Sequence, residues 1–60
     1  MSYLVSRLSS PDRSDEQLDD LEAAEVAAIE NSWDDSAYGV WDLEADDLVA
    51  IAYGQTVFRP

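Results

Sequence analysis

The chain has no cysteine, no histidine and no lysine; its cations are Arg7, Arg13 and Arg59. Without cysteine there is no disulfide and no thiolate metal site. Without histidine there is no usual zinc ligand set and no imidazole base. A chain of 60 residues buries only about 60% of the surface its unfolded form exposes, so its stability is marginal. With staples excluded, a partner or self-association is the remaining support. The opening stretch MSYLVSRLSSPDR has neither a basic start nor a long apolar run. It reads as a cytoplasmic chain with no signal peptide and no membrane span.

Acid is what the chain has in abundance. Fourteen Asp and Glu stand against three Arg, a net charge of −11. Direct binding to nucleic acid or to an anionic membrane depends on cationic side chains, so both are disfavoured. A basic protein is the natural complement. Two other readings of the acidity stand beside this one: a solubilising coat, or a small domain from a lysine-poor, salt-adapted source.

No repeat, low-complexity tract or linker divides the sequence, so residues 1–60 read as a single small acidic domain. Residues 3 to 8, YLVSRL, suit a short strand. Ser10 before Pro11, or Ser14 with Gln17, can cap a helix, which is expected from about residue 14 to about residue 32. At helical spacing Leu18, Leu21, Val26, Ala28, Ile29 and Trp33 share one side. Glu16, Asp19, Asp20 and Glu30 share the other with Ala23 and Ala27. Glu22 and Glu25 intrude on the apolar stripe. They either lie at its edge in water or mark a face that meets an Arg- or Lys-bearing partner; within this chain only Arg7, Arg13 and Arg59 could pair with them.

The segment 33–47 is aromatic and acidic, and residues 48–59 read as a hairpin or a helix. In one reading YGVWDL, LVAIAY and TVFR are three strands of a meander. A two-residue turn at Gly54, assigned as type II′, then sets Tyr53 opposite Thr56 and Ile51 opposite Phe58. In the other, Asp42 caps a helix over 43–53 that stops at Gly54. The β-branched and aromatic content favours the sheet. The expected fold class is therefore α+β, one long amphipathic helix packed on a small antiparallel meander or hairpin. An all-α pair of helices is the alternative.

Catalysis has little to work with. Carboxylate pairs such as Asp19–Asp20, Asp34–Asp35 and Asp46–Asp47 are too many to be diagnostic, and so small a domain hardly builds the cavity that would split their pKa values. The chain is not expected to be an enzyme, and no cofactor is expected. A calcium loop is nearly spelled by Asp34, Ser36, Tyr38, Gly39 and Asp42. It fails at Ala45, where a bidentate glutamate belongs, so no specific metal site is expected and only loose divalent-cation binding remains open.

The aromatics carry the sharper expectation. Trp33, Tyr38 and Trp41 offer large rigid contact area among Asp34, Asp35, Asp42, Glu44, Asp46 and Asp47. Tryptophan and tyrosine are enriched at interface hot spots, while flanking charge selects and steers the partner. One tryptophan as plain core is the competing role. These nine residues form the expected partner-binding set. A helical row of Glu16, Asp19, Asp20 and Glu30 would space its carboxylates much as phosphates are spaced along a strand, the pattern of a nucleic-acid mimic and of any solvated acidic helix alike. The composition resembles that of antitoxins, phage-encoded inhibitors and other acidic neutralisers of basic nucleic-acid-handling proteins. That resemblance implies a regulatory binding module. A self-assembling structural module, marked by homo-oligomers, is the alternative.

Overall fold

A computed structural model describes residues 2–12, 15–32 and 36–59. In chain order it contains β1 (Tyr3–Arg7), β2 (Glu16–Leu18), α1 (Leu21–Asn31), β3 (Tyr38–Asp42), β4 (Asp47–Tyr53) and β5 (Thr56–Phe58). The strands form one sheet in the order β2-β1-β3-β4-β5, every neighbouring pair antiparallel. The class is α+β, with one helix on a five-stranded sheet. The all-α alternative falls, because residues 47–53 are strand.

Strand β1 is the key to the sheet. It pairs with β2 through Tyr3↔Leu18 and with β3 through Leu4↔Trp41 and Val5↔Val40. Because β1 lies between them, β2 and β3 run in the same direction, and α1 is the crossover that joins them. That crossover lays the helix across one face. Alternation puts Tyr3 and Val5 on the helix side, where they meet Ala24, Ala28, Val40, Ala50 and Ala52 in the core. Alanine at 24 and 28, both fully buried, lets the helix backbone approach the sheet closely.

The helix is shorter than the capping signals imply. It spans 11 residues, Leu21 to Asn31, and its N-cap is Asp20, whose carboxylate accepts the Ala23 amide at 3.4 Å. Residues 16–18, expected in its first turn, are instead an edge strand. Leu18 gains more from pairing beside Tyr3 than the polar run Glu16-Gln17 gains from a helical turn without packing. At the C-terminus, Ser32 closes the helix: its hydroxyl donates to the Ile29 carbonyl at 2.9 Å and accepts the Gln55 amide at 3.4 Å. This ties the helix end to the β4–β5 turn.

The expected apolar stripe is also revised. Val26 is 49% exposed, while Glu25 is only 8% exposed. Glu25 neither lies in water nor waits for a partner protein. Arg59 reaches over from the end of β5, its Nε and Nη2 donating to the two carboxylate oxygens at 2.9 and 2.8 Å. The fork of a guanidinium matches a carboxylate in this two-point way, and the hydrogen bond and charge of Glu25 raise the Arg59 pKa above its usual value.

The C-terminal meander follows the strand reading closely. Ile51↔Phe58 and Tyr53↔Thr56 are paired as the two-residue loop requires. The turn itself differs from the II′ assignment: both Gly54 (φ 57°) and Gln55 (φ 68°) are left-handed, the signature of type I′. The β3–β4 turn shows why Asp42 looked like a helix cap. Its Oδ1 accepts the amides of Glu44 and Ala45 at 2.9 and 3.3 Å, and its carbonyl accepts the Asp46 amide at 2.7 Å. Asp42 does cap one helical turn, but Asp46 then swings to φ 57° and the chain reverses into β4.

Candidate functional site

The face of the sheet opposite α1 is built from the other half of each strand's alternation. Leu4 and Ser6 from β1, Gly39 and Trp41 from β3, Leu48 and Ile51 from β4, and Phe58 from β5 share it. A register shift between Val40 and Trp41 makes Leu48, rather than Val49, the partner of Trp41. Gly39 leaves room for the indole. A Cβ placed on it would stand 2.6 Å from Trp41 Cη2 and 3.0 Å from Leu48 Cδ1.

Part of this face is covered by the chain itself. Ser6 is fully buried; its hydroxyl donates to Asp15 Oδ2 at 2.6 Å and accepts the Asp12 amide at 2.9 Å. Those bonds hold Asp12 and Asp15 to β1, and Pro11, next to Asp12, lines a pocket together with Leu4 and Trp41. Beyond that cover the face stays open toward β5. Trp41, Leu48 and Ile51 are half-buried, and Phe58 and Tyr53 are 56% and 49% exposed. Next to Trp41, the Asp42–Asp47 turn presents Glu44, Asp46 and Asp47 to solvent.

A pocket of about 170 Å³ lies between the two features, lined by Leu4, Pro11, Trp41, Leu43 and Asp46. A second concavity, an acidic groove of about 430 Å³, runs between β2 and α1. Leu18, Ala23 and Ala27 line it together with Glu16, Asp20 and Glu30. These acids do not form the helical row their spacing suggested: Glu16 is in β2, and Asp19 and Asp20 precede the helix.

Of the expected partner-binding residues, Trp41, Asp42, Glu44, Asp46 and Asp47 are brought together at one end of β3 and β4. Tyr38 is not with them. It is on the helix side of β3, packed against the core, because it is an odd number of residues from Trp41 along a strand. Trp33, Asp34 and Asp35 lie outside the described residues. Leu4, Pro11, Leu43, Leu48, Ile51 and Phe58 were missed as site residues, although the Ile51–Phe58 pairing was in the expected hairpin. The calcium-loop spacing is not realised, since Tyr38, Gly39 and Asp42 belong to an extended strand and cannot wrap round one point. Among the described residues no group of three or more acidic side chains is placed to hold a metal ion, and no helix is long and apolar enough to cross a membrane.

In comparisons with family models, curated proteins and solved structures, the chain matches none of them.

Proposed function

We propose that this chain is a small acidic protein-binding module that neutralises or regulates a basic partner, of the nucleic-acid-handling kind, through its helix-free sheet face. The observation that carries the reading is the placement of half-buried Trp41 between an open apolar surface and the acidic turn. An aromatic anchor within an apolar patch, rimmed by charge of one sign, is how hot spots are commonly organised. The net charge of −11 supplies long-range steering toward a cationic protein. Function follows from binding: a basic surface covered by this face is no longer available to a polyanion.

Immobilising the chain in an extract of its source, beside a Phe58→Asp control, tests the reading. Phe58 is 56% exposed, and circular dichroism of the control checks that it keeps the fold. The reading expects a basic protein, identified by mass spectrometry, to be retained by the native chain and lost from the control. Equal retention by both would contradict it.

Self-association through the same face is a second reading, favoured by exposed Tyr53 and Phe58 on one side. It predicts a melting midpoint that rises with protein concentration.

A further inference from the structure

We propose that the pocket lined by Leu4, Pro11, Trp41, Leu43 and Asp46 receives one cationic side chain, a lysine or an arginine, from the basic partner. The inference rests on reading the helix-free face as a protein interface, and gives that interface its point of recognition. At about 170 Å³ the pocket is well below the roughly 300–1,000 Å³ of sites for whole small molecules, so a single side chain is the occupant its size admits.

Its chemistry is divided as such a side chain is divided. Leu4, Pro11 and Leu43 offer apolar walls to a methylene stem, which long basic side chains bury readily. The Trp41 ring attracts a cation through its quadrupole, and Asp46 supplies a carboxylate on the same lining. Asp42, Glu44 and Asp47 in the adjoining turn deepen the negative potential. An apolar occupant would satisfy the walls but bring no charge to match the acidic side of the lining. An anion would be repelled.

The walls are also set in advance. Leu4 is buried in β1, the Leu43 amide donates to the Ser2 carbonyl at 3.0 Å, and the Asp46 amide is held by Asp42. Pro11 stands where the Ser6 bonds to Asp12 and Asp15 put its loop. Little ordering remains to oppose binding, which favours even one side chain.

The full chain, isotopically labelled for amide NMR, is titrated with N-acetyl-lysine amide, N-acetyl-arginine amide and the neutral N-acetyl-norleucine amide. The pocket predicts saturable shifts at the Trp41 indole N–H and the Leu43 and Asp46 amides with the cationic probes. Norleucine amide binds about tenfold more weakly or worse. The tighter of the two cationic probes identifies the preferred side chain. Asp46→Asn, which tolerates the left-handed turn position, lowers affinity for the cationic probes about tenfold. Pro11→Ala, which removes a wall and no charge, weakens all three probes.

Shifts spread evenly over exposed carboxylates such as Glu22 and Glu30, or equal binding of norleucine amide, would overturn the assignment. A lysine-rich peptide separates this inference from the one beneath it. If the peptide perturbs Ile51 and Phe58 while the single-residue probes leave the pocket unmoved, the pocket falls and the interface stands. If the probes fill the pocket and the peptide leaves Ile51 and Phe58 unmoved, the pocket stands and the interface falls.

Discussion

The indole of Trp41 lies with its six-membered edge on Gly39, where a side-chain Cβ would stand 2.6 Å from Cη2 and 2.8 Å from Cζ3. Real Cβ atoms do not approach so closely, so glycine at 39 is the condition for the ring to lie against β3. The ring in turn gives the helix-free face its anchor. Gly39→Ala is expected to force the indole off the strand and cost about 1–3 kcal/mol, an overpacking penalty. Urea unfolding measures it. In the double variant Gly39→Ala with Trp41→Leu the two effects should fall short of additive, because the clash is gone once the ring is.

The ion pair between Glu25 and Arg59 joins the helix to the chain following β5, and it concerns stability rather than binding. Arg59→Ala leaves the Glu25 carboxylate, 8% exposed, without its bidentate partner, so the melting midpoint should fall. Arg59 has a raised pKa. A cation with a raised folded-state pKa contributes stability that is fully present below its unfolded value, itself far on the alkaline side, and is lost only as pH climbs through the higher folded value. The gap between native and variant midpoints should therefore show no loss from Arg59 titration between about pH 6 and about pH 9.

Of the non-glycine residues in left-handed backbone among those described, Gln55 marks a place where the chain is easily improved. Gln55, at φ 68° in the type I′ turn, carries a steric cost that glycine avoids. Gln55→Gly should raise stability by about 0.5–1 kcal/mol. The opposite sign is expected at Asp42, whose carboxylate holds the Glu44 and Ala45 amides. Asp42→Ala should cost about 1 kcal/mol, as loss of a capping side chain does. Both are read from denaturant midpoints.

A net charge of −11 on 60 residues is self-repelling within the Debye length, about 10 Å at 0.1 M salt. Thermal melts should rise between about 20 mM and about 1 M sodium chloride as screening relieves it. A midpoint that falls or stays fixed would mean that the acids are spaced widely enough not to matter.

Much of the sheet could be read from the sequence, and the reasons are local. Gly54 fixes a two-residue turn, and alternation through Ile51, Tyr53, Thr56 and Phe58 then leaves one register. Asp42 carried two local meanings at once, cap and strand end, and both are realised within one turn. The helix start was misread because Ser14 with Gln17 makes a good capping pattern, whereas the pairing of Leu18 with Tyr3 is fifteen positions away in the chain. The binding face was half legible. Trp41 and its acids adjoin in sequence, but the pocket needs Pro11, and Pro11 is brought there by Ser6 bonding to Asp12 and Asp15. No periodicity announces a contact of that kind. Tyr38 was assigned to the site by proximity along the chain, and strand alternation sends it to the other side.

Whether the helix-free face is an interface is tested most directly by mapping amide shifts of the labelled chain on addition of a lysine-rich peptide. The interface predicts perturbations concentrated at Trp41, Leu43, Asp46, Leu48, Ile51 and Phe58, weakening with salt, with the helix residues Glu22 to Glu30 unmoved. Perturbations centred on α1, or scattered over every exposed carboxylate alike, would contradict it.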